Sequence, residues 1–177
     1  SRNQEHQDIA FNPNTNLSLY SWHNYATQRG ITFSSTASTF ISVGYSVRTR
    51  DNVDVLSGTL PNSYLYSRAF NVGNYLVLTA VHNPTSALHY FHTTNASSAG
   101  FLGPTILGNI NSSSAMTSRR LSINPQYDAV NTNNRLHIAW FDGASSSIRQ
   151  LYLDSNLNQS SIITKINQNA SGYLTLF

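Results

Sequence analysis

The chain contains no cysteine, which excludes a disulfide framework, a thiolate metal site and a cysteine nucleophile. Charge is nearly as scarce. Glu5 is the single glutamate, Lys165 the single lysine, and charged residues make up 10% of the 177, against about 25% in an ordinary soluble domain. Long helices dress their exposed faces with Glu, Lys and Ala, so this scarcity argues for an all-β, turn-rich chain. No apolar run approaches the ~18 residues of a membrane-spanning helix, and no membrane insertion is expected. The net charge of +3 comes from scattered arginines, with Arg48 and Arg50 answered by Asp51 and Asp54 and only Arg119-Arg120 adjoining. A nucleic-acid surface needs clustered cations, and none is expected here. The sequence begins at Ser1 without Met or a leader, and is read as a processed product or part of a longer protein.

What the chain has in quantity is Asn, Ser and Thr, with ten Tyr and eight Phe for bulk. Such an uncharged polar surface suits a secreted or surface-exposed protein, extracellular or on a virion or fibre. Residues 1–7 lack periodicity and read as a polar tail, and residues 8–177 as one all-β domain. Period-two alternation marks strands at Asp8–Phe11, Leu17–His23, Phe40–Arg48, Ser63–Phe70, Tyr75–His82, Leu88–His92 and Ser161–Ile166. The clearest alternation is Arg135–Asp142, where Leu136, Ile138 and Trp140 share one face; Asp142-Gly143 then turns the chain into Ile148–Asp154. Asp51–Leu60 carries a further strand with a turn at Ser57-Gly58. Residues 99–108, with Gly100, Gly103, Pro104 and Gly108, read as loop with at most a short strand. The terminal Gly172–Phe177 reads as a paired, buried strand.

Three windows line up at a spacing of 59: FNPNTNLSLYSWHN (11–24), FNVGNYLVLTAVHN (70–83) and AVNTNNRLHIAWFD (129–142). Three such periods account for the length (3 × 59 = 177). The windows imply repeats near 1–58, 59–117 and 118–177, each a small sheet that buries its apolar faces against its neighbours.

The pattern L-x-[IL]-x-W-[FH]-[DN] is carried by Leu136, Ile138, Trp140, Phe141 and Asp142, and again by Leu17, Leu19, Trp22, His23 and Asn24. It resembles the blade sequences of β-propeller proteins of lectin or adhesin type. That resemblance implies propeller-like blades; three blades cannot close a ring, since propellers use about 4–8, so it also implies assembly as a homo-oligomer. The sialidase box and the Glu-containing sugar site of fucose-binding propellers are missing. Two other folds fit the sequence: a jelly roll or other β-sandwich of the trimeric tumour-necrosis-factor/C1q kind, which the terminal strand resembles, and a β-trefoil. Dimer and trimer therefore both stay open.

Sugar recognition needs an aromatic face and nearby neutral hydrogen-bonding groups. The repeat position offers Trp22-His23-Asn24, Val81-His82-Asn83 and Trp140-Phe141-Asp142, each entering a loop. The candidate ligand-binding residues are thus Trp22, His23, Asn24, His82, Asn83, Trp140 and Asp142, with Tyr90 in support. His89 and His92, at i and i+3, point to opposite strand faces and make a poor metal site; His82 and His89 can meet across a hairpin. No metal and no cofactor is expected. Glycoside hydrolysis needs two placed carboxylates, and the scattered aspartates offer only Asp51 with Asp54, beside Arg48 and Arg50. No Gly-x-Ser-x-Gly elbow is present. The function expected is non-enzymatic binding of surface glycans at several weak sites acting together. The alternatives are a structural, oligomerising fibre-tip, tail or capsid domain, and a propeller-type glycosidase.

Overall fold

Twelve strands and no helix make up the described parts of the molecule. The structure is a computed structural model, and it describes residues 3–25, 40–61, 63–82, 84–94, 101–109, 124–128, 135–142, 145 and 147–167. The strands run β1 (Asn3–Asn12), β2 (Leu17–Tyr25), β3 (Phe40–Thr49), β4 (Asp54–Thr59), β5 (Tyr64–Val72), β6 (Tyr75–His82), β7 (Ala87–Thr93), β8 (Leu102–Asn109), β9 (Asn124–Asp128), β10 (Arg135–Asp142), β11 (Ser147–Leu153) and β12 (Ile163–Asn167). They form three four-stranded antiparallel sheets, each a simple meander in chain order: sheet I is β1–β4, sheet II β5–β8 and sheet III β9–β12. No sheet closes on itself.

Two apolar cores join the sheets. Leu19, Val43 and Val47 of sheet I pack with Leu76, Leu78, Ala80 and Phe91 of sheet II. Val77, Val81, Leu88 and Tyr90 of sheet II pack with Leu136, Ile138, Trp140 and Leu151 of sheet III. Alternate residues of β6 thus face opposite neighbours, which is why the strand is buried from Leu76 to Val81 without a break. Sheets I and III each keep one outer face. The seam between I and II is also stapled by polar side chains of sheet I that reach main-chain atoms of sheet II. Asp8 Oδ2 accepts from the Ala69 N–H (3.0 Å) and from Arg68 Nε (2.9 Å). Asn12 Nδ2 donates to the carbonyls of Gly73 and Tyr75, both at 3.1 Å. The Ser67 N–H donates to His23 Nε2 (3.1 Å).

The structure revises several expectations. β1 begins at Asn3, inside the stretch read as a tail: its polar residues are held by pairing with β2, Asn3 opposite Tyr25 and Glu5 opposite His23. Within residues 99–108, read as loop with at most a short strand, the chain forms most of the eight-residue β8 (Leu102–Asn109), an edge strand; glycines and a proline mask its pattern, yet an edge needs only one ladder of bonds. The terminal strand at 172–177 lies outside the described residues.

The spacing of the meanders is not a uniform 59. β2, β6 and β10 begin at 17, 75 and 135, offsets of 58 and 60. A shared irregularity fixes the correspondence. β1 carries an extra residue between Glu5 and Asp8, against His23 and Ser21 of β2. β5 carries one between Leu65 and Arg68, against Val81 and Thr79 of β6. His23 therefore corresponds to Val81, and Trp22 to Ala80. A one-residue slip moves a side chain to the other face of a sheet: Val81 faces sheet III, whereas Ala80 faces sheet I.

Candidate functional site

The ends of β2, β6 and β10 gather on one rim of the stack. His23 near the end of β2 meets Ser67 of β5, and the start of β5 pairs with the end of β6, Tyr64 opposite His82. Trp140 near the end of β10 lies against Gly108, which pairs with Leu88 at the start of β7. Gly73, where Asn12 and Asn14 bond, lies on the other rim against Ser155; its φ of +55° suits glycine in the two-residue turn of β5–β6.

At the sheet II part of the rim, four polar side chains meet. The His82 and His89 rings are stacked, 5.3 Å apart and within 9° of parallel, because β6 and β7 set Ala80 opposite His89 and leave His82 one step along the same face. The Tyr64 hydroxyl and His89 Nδ1 are hydrogen-bonded at 2.9 Å, and the Tyr64 ring lies 5.2 Å from that of His82. His82 Nδ1 is hydrogen-bonded to the Thr85 hydroxyl at 2.8 Å. Burial first, and the neighbouring His82 second, hold His89 below its ordinary range, so His89 resists gaining charge. Burial raises Tyr64. His82 is half-buried and Thr85 exposed, so the cluster opens to solvent on that side.

At the sheet I part, Trp22 Nε1 donates to Asn24 Oδ1 (3.1 Å), and Asn24 Nδ2 donates to Ser42 Oγ (3.0 Å). The indole lies across Gly44, where a Cβ would fall inside the ring. Trp22 and Asn24 belong to the outer face of sheet I, while His23 points the other way, between sheets I and II, with its ring edge-on to Tyr66 at 6.2 Å. At the sheet III part, Asp142 is buried and its Oδ2 accepts from Arg149 Nε (3.4 Å). Arg149 also donates to Ser145 Oγ (3.3 Å) and to Thr164 Oγ1, and Ser145 is bonded to Ser147 (2.5 Å).

The candidates therefore fall into separate places. Trp22 and His82 present atoms towards solvent, whereas Asn24 is buried, bonded to Trp22 and Ser42. His23 is part of a seam, and the buried Asp142 anchors an ion pair with the half-buried Arg149. Trp140 and Tyr90 are core residues between sheets II and III, 1% and 4% exposed. Asn83 lies outside the described residues. Tyr64, Thr85 and Arg149 were not singled out from the sequence. The Tyr64–His82 pairing depends on the bulge in β5, which alternation does not reveal. Among the described residues, no three His, Cys, Asp or Glu side chains gather as a metal site. The chain matches no family model, no curated protein and no solved structure.

Proposed function

We propose that the three meanders are successive blades of a propeller-like assembly and that the chain is a non-enzymatic glycan-binding module acting in a secreted or surface-exposed setting. The observation that carries this reading is the Tyr64–His82–His89–Thr85 cluster at the open rim. It combines neutral ring faces with hydroxyl and imidazole groups that can donate or accept, which is the chemistry a pyranose asks for. Individually weak sites gain affinity when several copies are displayed together.

A glycan array probed with the chain multimerised on a carrier tests this. Binding should be found and should weaken by at least roughly tenfold, about 1.4 kcal/mol, in the His82→Ala variant. No binding to any glycan at high valency would sink the reading. Release of reducing sugar from a bound glycan would replace it with the glycosidase reading.

The second reading, a structural oligomerising domain, is favoured by one specific observation. Trp140, in the corresponding position to Trp22, is covered by the preceding sheet.

A further inference from the structure

The outer face of sheet I differs from the rest of the surface. On this face Ile9 pairs with Tyr20 and Phe11 with Ser18, on the side opposite Ala10 and Leu19. Ile9 and Phe11 are 58% and 46% exposed, and Trp22, on the same face, lies over Gly44. The face carries one ion pair, Arg48 with Asp54 (2.6 Å), and the Arg48 guanidinium sits over Tyr20 at 5.1 Å. At the other end of the stack, the outer face of sheet III carries His137 and Tyr152 as a cross-strand pair, with Gln150 paired to Ile163. Ile163 is 49% exposed, and Arg135 stacks over Tyr152 at 4.3 Å.

The two seams within the chain say what covers such faces. In both, the face of one sheet that carries the odd positions of β2 or β6 meets the face of the next that carries the even positions of β6 or β10. Sheet I leaves over the face of Trp22, which corresponds to Ala80 and Trp140. Both of those point back towards the preceding sheet: Ala80 packs against sheet I, and Trp140 against Gly108 of sheet II. Sheet III leaves over a face of the other kind, and the two free faces continue the seams already present.

We propose that the outer face of sheet I is an interface for a second copy of this chain, which meets it with the outer face of its own sheet III. Contacts of this head-to-tail kind form a closed ring when the rotation permits, and two copies would bring together six sheets, a number within the range of closed propellers. A face four strands wide, about 19 Å, and about 20 Å long covers about 380 Å², so two such seams bury about 1,500 Å² in all, the size of a stable interface. This inference rests on the blade reading above and is independent of glycan binding.

Native mass spectrometry and sedimentation at micromolar chain concentration test it. The expected mass is twice 19.6 kDa, or 39.2 kDa. Phe11→Asp changes an exposed side chain, so it should keep the circular dichroism of the parent and, where both are diluted to monomer, its melting temperature. It should raise the dimer dissociation constant by roughly 100-fold, the effect of losing an interface anchor. The lack of cysteine supplies a clean background for the orientation. Phe11→Cys mixed with Tyr152→Cys should cross-link one to the other on mild oxidation, and neither to itself. A monomer throughout, a trimer, or Phe11→Cys cross-linking to itself would each overturn the proposal. So would a monomer that binds glycan and loses it on Trp22→Ala, which would make the face a ligand platform.

Discussion

Gly44 and Gly108 each lie under an indole ring, and a methyl group at either would collide with it. The two collisions differ in what can yield. Trp140 is 1% exposed inside the core of sheets II and III, so Gly108→Ala forces a packed ring to move. Overpacking of this kind costs about 1–3 kcal/mol. Trp22 has solvent on its outer side and can tilt away at the expense of its bond to Asn24, so Gly44→Ala should cost less in the isolated chain. Urea unfolding of the two variants compares them; equal losses would contradict the difference in confinement. Thr79 supplies the opposite case. It is fully buried between Val77 and Val81, and its hydroxyl has no hydrogen-bond partner. An unsatisfied buried hydroxyl costs about 1–3 kcal/mol. Thr79→Val should therefore stabilise the chain by about 1 kcal/mol, read as a higher urea midpoint at unchanged slope; a lower midpoint would show that the hydroxyl is bonded.

The elements themselves were largely legible. Alternation alone marks β2, β6 and β10, because each has at least one face in a core and a core face must be apolar at every second residue. It fails at β8, whose Gly103-Pro104 and Gly108 look like punctuation, and at the start of β1, where pairing holds polar residues in place. It also set Val81 level with Trp22, where the bulges of β1 and β5 set Ala80. The β1–β2 turn takes four residues and the β5–β6 turn two, so offsets of 58 and 60 mimic a single period of 59, and Val81 stood in for Ala80. Of the candidate site, residue types were readable and facings were not, since a bulge in β5 decides which side chains reach the rim. β7 carries its own prediction. Burial, with His82 in addition for His89, holds both His89 and His92 below the ordinary 6.5. A base whose folded pKa is depressed leaves stability intact above the unfolded value. As pH falls below 6.5, the unfolded chain takes up protons that the fold resists, and stability is lost. Melting temperature should drop between about pH 7.5 and pH 5.5, and the His89→Gln variant should show a shallower drop; a melting temperature that holds or rises towards acid would contradict the assignment.

At the scale of the whole molecule, sheet II is, among the described residues, the one sheet with both faces in a core. Amides deep in β6 and β7 should open only with global unfolding, while those of sheets I and III should also exchange through partial opening. Hydrogen exchange followed strand by strand would show this order, and slowest exchange in β10 would refute it. The staples between sheets I and II have a consequence of another kind. Asp8, Asn12 and His23 all contribute side chains, whereas what they grasp in Ala69, Gly73, Tyr75 and Ser67 is main chain. Every amino acid except proline offers the same N–H, and every one offers the same carbonyl. Apart from the Asp8–Arg68 pair, these bonds are thus specified from sheet I alone: a saturation library should find Asp8, Asn12 and His23 narrow for the bonds they make, while Ala69 and Ser67 are limited instead by burial and Gly73 by its positive φ and the nearby Ser155.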